Sequence, residues 1–383
     1  MNRIKFYAAS FLWIGFVSIA QAADGDDSKD YFNPLINGAP SLTIAPDTRG
    51  SSLGDVGAAT EADVFSQYWN PAKYAFAYSK GGFGLSYTPW LKKIIDDIDL
   101  VYLAGYYKIG DSDRQAIGVS LHYFSTGKID VSHPGEAAFY GVSPYDVSLD
   151  LSYSLKLSEK FAGAVAFRYF YSDPGQIGEG YNPASAFSAD IAGYYHNYLM
   201  LGESECLLGL GFNISNMGSK ISYNKGNSTA FLPANLKVGG SLLVPLDKQS
   251  NTLSFNLDAN KYLFPAPPDM GAVSTEEKLQ ALHDYYAISS LSGIFKSFEE
   301  ARISLSFGLE YAYDNRFFVR GGYFYEHPDN GNRQFFSTGV GFKLNAFQLD
   351  AAYLISTVPH NPLDQTLRLS LSFDIDGLKN WIK

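Results

Sequence analysis

The chain has 383 residues, of which 46% are hydrophobic and 16% aromatic, with 36 glycines, one cysteine and a formal net charge of −10 at pH 7. That acidic balance excludes nucleic acid as a natural partner, and a lone thiol excludes an internal disulfide framework. No apolar run beyond the first twenty or so residues is long enough for a transmembrane helix.

Residues 1–22 read as a secretory signal peptide. Arg3 and Lys5 give the positive start, Phe6 to Ile19 the apolar stretch, and Ala20-Gln21-Ala22 the small-x-small cleavage site. Its removal takes away two positive charges and leaves the mature chain more acidic still. An exported chain rich in Tyr, Phe and Gly and lacking membrane helices has one way to span a bilayer, the outer-membrane β-barrel.

Residues 23–80 contain no good two-residue alternation. Small residues and glycines dominate Ala45–Lys73, which suits an irregular plug beneath or inside a polar lumen. Val64, Phe65, Tyr68 and Trp69 form too apolar a cluster for a disordered leader. The Trp69-Asn70-Pro71 step then leads the chain into the barrel wall.

From residue 81 to 376 the pattern changes to dyad alternation. In Val147–Leu157, Val147, Leu149, Leu151, Tyr153, Leu155 and Leu157 alternate with Ser148, Asp150, Ser152, Ser154 and Lys156, so a strand sorts them onto two faces. Equivalent segments fall at 81–88, 98–108, 115–124, 146–157, 161–171, 187–196, 206–215, 234–244, 252–260, 302–313, 317–326, 335–344, 347–356 and 366–375. This predicts an all-β, up-and-down antiparallel transmembrane barrel of about 14 strands. Asp99, Asp150, Lys156, Arg168, Asp190, Lys237, Asp258, Glu310, Arg320, Lys343, Asp350, Arg368 and Asp374 are assigned to the less apolar face, with Lys108 opposite them at a strand end. Charge on the lipid face of a barrel costs about 2–4 kcal/mol at mid-bilayer, so these groups are expected inside, pairing across the lumen. Connections at 109–114, 158–160, 245–251, 314–316 and 345–346 are short, as periplasmic turns are. The alternate ones at 125–145, 172–186, 216–233, 261–301 and 357–365 are longer and are expected outside the cell; residues 377–383 follow as a tail.

Two outer segments are candidates for partner binding. In 261–301, Ser274 and Glu277 form a capping box ahead of a helical stripe of Leu279, Leu282, Tyr285 and Tyr286, which either docks another protein or packs on the rim. In Pro89–Leu100, Trp90, Leu91, Ile94 and Ile95 make a second apolar patch, either a docking surface or an aromatic anchor at the membrane interface. The six histidines have no metal-ligand spacing and no G-x-S-x-G elbow occurs, so neither catalysis nor a cofactor is expected. Tyr325-Glu326-His327 is expected to position its own loop.

Several stretches resemble the PorV branch of the FadL-like outer-membrane transporter superfamily. They are "APSLTIAPDTRGSSLGDVGAAT" (Ala39–Thr60, containing Asp47 and Arg49), "YWNPAKYAFAYSKGGFGLSYTPWL" (Tyr68–Leu91), "FVRGGYFYEHPDNGNRQFFSTGVGF" (Phe318–Phe342), "AAYLIS" (Ala351–Ser356) and "NPLDQTLRLSLSF" (Asn361–Phe373). The resemblance implies a component of the type IX secretion system of Bacteroidota. It implies outer-membrane lipid and lipopolysaccharide as surroundings. Its implied partners are the large translocon barrel, the C-terminal signal domains of secreted cargo and a surface attachment complex with a sortase-like peptidase. The superfamily alone would suit a channel for hydrophobic small molecules. A lipopolysaccharide-modifying enzyme is a further alternative.

Overall fold

A membrane supplies no water to unpaired backbone groups, so strands that face lipid must close on themselves. In the computed structural model they do. It describes residues 37–90, 98–110, 113–131, 140–175, 182–226, 229–247, 250–266, 275–300, 302–359, 361 and 363–382. The strands are β1 (Gly81–Trp90), β2 (Ile98–Ile109), β3 (Gln115–Ser125), β4 (Ile129–Val131), β5 (Tyr140–Val142), β6 (Tyr145–Lys156), β7 (Phe161–Asp173), β8 (Ala184–Leu201), β9 (Ser204–Gly218) and β10 (Asn235–Pro245). They continue with β11 (Asn251–Tyr262), β12 (Ile303–Tyr313), β13 (Phe317–Glu326), β14 (Gln334–Leu344), β15 (Phe347–Ser356) and β16 (Leu367–Asp374). Fourteen of them form one closed antiparallel barrel; β4 and β5 pair separately as a small hairpin in an outer loop. Closure is made by β1 against β16, from Gly82↔Asp374 to Tyr87↔Leu369.

Each of the fourteen expected segments is a wall strand. β8 and β9 run further than their alternation suggests, because Gly202 adopts φ +65° and lets a tight turn carry pairing to Leu201↔Ser204. Side-chain parity follows the lipid argument: Leu149 and Leu151 are more than half exposed on the outer face, while Ser148, Asp150 and Ser152 between them are buried in the lumen.

β2 reverses the expected parity. Ile98, Leu100, Tyr102, Ala104, Tyr106 and Lys108 point inward, whereas Asp99 lies on the outward side with Leu103 and Tyr107. Asp99 sits at the outer rim, where Tyr87 Oη donates to its Oδ1 at 2.6 Å. Lys108 is buried and donates to the Ala77 carbonyl at 2.7 Å. The cause is the plug, which gives this part of the lumen an apolar filling: Phe65 packs with Tyr102 and Ala104, and Tyr74 and Ala77 with Tyr106 and Ala116.

The described part of the plug, residues 37–80, is a chain of short turns inside the barrel. A 3₁₀ turn (Pro40–Thr43) precedes α1 (Thr48–Ser52) and α2 (Ser66–Trp69), and a second 3₁₀ stretch covers Pro71–Phe76. Asp47 caps α1 by accepting from Gly50 N at 2.9 Å, and Asn70 caps the last turn by accepting from Ala72 N at 3.0 Å. Pro71 at its first position has no N–H to leave unpaired. Two inward-facing wall glycines make room for this backbone. A Cβ on Gly322 would lie 2.1 Å from Leu53 C, and one on Gly211 would lie 2.0 Å from Ala58 O.

At the outer end, α3 (Thr275–Ala287) and α4 (Ser290–Lys296) lie between β11 and β12, followed by a 3₁₀ turn at Ser297–Glu299. β16 runs directly into α5 (Ile375–Ile382), which takes in most of the C-terminal tail. Asp374 starts it, its Oδ1 accepting from Asp376 N at 2.9 Å and Gly377 N at 3.1 Å. The signal peptide, the plug residues before Asn37, and Ser274, Leu91, Ile94 and Ile95 lie outside the described residues.

Candidate functional site

The plug is bonded to the wall around its circumference. Arg49 projects from α1 and donates to Glu310 of β12 through Nη2 (2.8 Å) and Nε (3.1 Å), and to Asp63 of the plug at 3.1 Å. Gly57 N and Ala58 N donate to Asp258 Oδ2 of β11 at 2.8 and 2.9 Å. Asn70 Nδ2 donates to the carbonyls of Ala58 (2.8 Å) and Gly193 of β8 (3.0 Å), while Asn213 of β9 donates to the Trp69 carbonyl at 3.1 Å. Within the plug, Trp69 Nε1 donates to Asp47, joining the two ends of the motif. Lys73, which the charge pattern did not single out, is fully buried and donates to Gly57 O at 2.8 Å and Thr60 Oγ1 at 3.0 Å.

The lumen charges expected to pair across the barrel pair sideways along the wall instead, because the plug occupies the axis. Asp150 and Arg168 are register partners on β6 and β7; Arg168 Nε lies 2.6 Å from Asp150 and Nη2 3.3 Å from Asp190 of β8. Glu310 and Arg320 are register partners on β12 and β13, and Arg320 reaches Asp350 of β15 at 2.6 Å. Lys237 stands 3.7 Å from Asp258. Arg368 has no ion-pair partner among the described residues and donates to the Ala45 carbonyl of the plug. Buried ion pairs are retained only where each charge keeps its partners, and here Glu310 ties both wall and plug to one carboxylate.

Among the described residues, cavities lie on both sides of the plug. The outer one, of about 70 Å³, is lined by Asp55, Tyr68, Arg168, Asn213, Asn260 and Arg333 among others. The periplasmic one, of about 390 Å³, is bounded by Arg49, Glu61, Asp63, Glu310, Arg320 and Lys343 among others. Both are polar. Glu326 faces the lumen from β13 and holds Arg333 through both oxygens at 2.8 and 3.1 Å, pinning the loop that contains His327.

At the outer rim the α3 stripe divides. Tyr285 is half-buried, its ring edge-on to Phe231 with centroids 5.6 Å apart and its hydroxyl donating to Pro265 O at 3.4 Å. Burial pushes that hydroxyl up to about 12. Leu282 is partly buried, while Tyr286 is 40% exposed. Leu279 belongs to the same helix, and Trp90 ends β1; the side chains of both lie outside the described residues. The largest exposed apolar groups here are on the following helix and turn: Leu291, Phe295 and Phe298 are 67%, 70% and 59% exposed. Their i, i+4, i+7 spacing after the Ser289 cap was the available sequence signal.

Against known proteins, the family model described as type IX secretion system protein PorV matches residues 28–269. No curated protein sequence matches the chain. The crystal structure of the P. putida toluene transporter TodX superposes with TM-score 0.51 at 10% identity, covering 87% of this chain and 98% of that one. A Pseudomonas aeruginosa FadL homologue gives 0.45 at 12% identity over 90% and 99%. The match to TodX shows a shared fold. With the family model spanning more than half of the sequence and the wall closed as fourteen membrane strands, the chain belongs to the PorV family of type IX secretion system proteins and is an outer-membrane β-barrel.

Proposed function

We propose that this barrel receives secreted proteins at the large translocon barrel by their C-terminal signal domains and carries them to a surface attachment complex containing a sortase-like peptidase. The observation behind this reading is the filled lumen. A plug bonded to β8, β9, β11 and β12 makes the barrel a membrane-held scaffold, and recognition is left to the long outer loops. A handover calls for moderate affinity and fast release, which an apolar patch with a polar rim suits better than a deep pocket. In this reading the barrel is not an enzyme. A channel for hydrophobic molecules would need an apolar path, whereas the cavities on both sides of the plug carry charged and amide side chains.

The test is deletion of the gene together with affinity capture of the detergent-solubilised protein. Loss of surface display for many secreted proteins, and co-purification of a giant barrel or of C-terminal signal domains, is expected. Intact display with an altered uptake of long-chain fatty acid would overturn the proposal in favour of a channel, and a change in lipid A acylation in favour of an enzyme.

A further inference from the structure

We propose that α4 and the 3₁₀ turn after it form an interfacial anchor that lays Leu291, Phe295 and Phe298 into the outer leaflet, at the boundary between acyl chains and headgroups. The inference stands independently of the cargo reading. It begins with parity. Lys261 is the register partner of both Leu236 and Ile303, and Ile303 is 48% exposed on the outer face, so Lys261 leaves the wall on the lipid side.

Lys261 fixes the end of the helical segment there. Its Nζ donates to the carbonyls of Ser297 (2.9 Å) and Glu300 (2.6 Å) and stands 5.3 Å from the centre of the Phe298 ring. Gly293 and Ser297 are buried against the rim, leaving Leu291, Phe295 and Phe298 on the far face. The lipid-facing column of β12, namely Ile303, Leu305, Phe307, Tyr311 and Tyr313, begins at the register partner of Lys261.

The height also agrees. Ten residues of strand tilted by roughly 40° rise about 25 Å, the full apolar band of such a barrel. The column from Ile303 to Tyr313 therefore crosses the hydrocarbon, and Ile303 marks its outer border. A helix tied at Lys261 lies level with that border, where an amphipathic helix buries its apolar face and a lysine stem lies along apolar surface. Three large apolar side chains left in water would gain nothing; in the interface each is covered by lipid. The occupant is thus the lipid itself.

Cys206 is fully buried, so single cysteines placed elsewhere can be labelled selectively with a polarity-sensitive fluorophore. Leu291→Cys and Phe295→Cys would be compared with Leu257→Cys on the wall and Glu276→Cys on the exposed side of α3, each reconstituted in phosphatidylcholine vesicles. Labels at 291 and 295 are expected to emit to the blue of the label at 276. A spin label near the lipid headgroup should quench them at least about twofold more than one deep in the chains, while the label at 257 shows the deep pattern. Heat-modifiable migration on gels verifies that every variant is folded. Water-like emission and full iodide quenching at 291 and 295, matching position 276, would overturn the anchor; that is the result expected of a patch reserved for a protein partner.

Discussion

Glu310 shows how single side chains divide their work between wall and plug. Removing Arg49 leaves Glu310 still paired with Arg320, so Arg49→Ala should cost about 1.5–3 kcal/mol, the range for hydrogen bonds to a charged group. Removing Arg320 leaves Asp350 with no guanidinium partner and Glu310 with Arg49 alone, and Arg320→Ala should cost about 3–5 kcal/mol. Denaturant titration of the folded barrel in detergent measures both; equal costs, or the reverse order, would contradict this division. Asp376 makes a second residue-level device where first and last strands meet. It accepts from Lys80 N at 2.7 Å and Ser79 Oγ at 3.2 Å. The Lys80 N–H, followed by Ser79 and Lys379, holds its carboxyl below the usual 3.8. A folded-state value below the unfolded one means that the stabilisation is present above about pH 3.8 and lost as pH falls further. The unfolding midpoints of wild type and Asp376→Asn should therefore differ at neutral pH and converge in strong acid; a constant gap would remove Asp376 from the seam.

At the scale of elements, dyad alternation was readable wherever one face meets lipid and the other meets polar plug groups, as in β6. β2 misled because its inner face is also apolar: Leu100, Tyr102, Ala104 and Tyr106 are covered by plug residues that lie far away in sequence, so both faces read as greasy. The corrected parity has a consequence. Leu103→Arg puts a charge in the lipid belt and should cost about 2–4 kcal/mol, whereas Asp99→Leu, at the rim, should leave stability nearly unchanged. Refolding into bilayers with denaturant titration distinguishes the two, and the opposite ranking would restore the reading that places Asp99 inside. The α3 stripe was visible as a helix, but its division into a packed Tyr285 and an exposed Tyr286 depends on Phe231 and Pro265, which arrive from other loops.

On the scale of the whole molecule, the barrel and its plug are separable parts joined by close backbone approach. Gly54, at φ +74°, and Gly322 pass each other at a distance no Cβ tolerates. Gly322→Leu should therefore expel the plug while the wall, whose strands pair with one another, stays closed. Three results are expected together: a persistent heat-modifiable folded band, new protease cleavage within residues 37–80, and raised conductance in planar bilayers. Unchanged conductance with an intact plug would show that α1 yields locally instead.

The strand number, the identity of the lipid face in most strands and the alternation of short and long connections were determined by the sequence alone, because each strand meets the same uniform solvent and must answer it locally. Asp47, Arg49, Trp69, Asn70 and Pro71 could be singled out there, but not what they hold. Only the tertiary structure decided that the plug fills the axis, that Arg168 and Arg320 pair along the wall, and that Leu291, Phe295 and Phe298 stay exposed while Gly293 and Ser297 are buried. Those contacts join residues as much as 323 positions apart, as Ala45 and Arg368 are, and no local periodicity encodes which distant group will stand opposite.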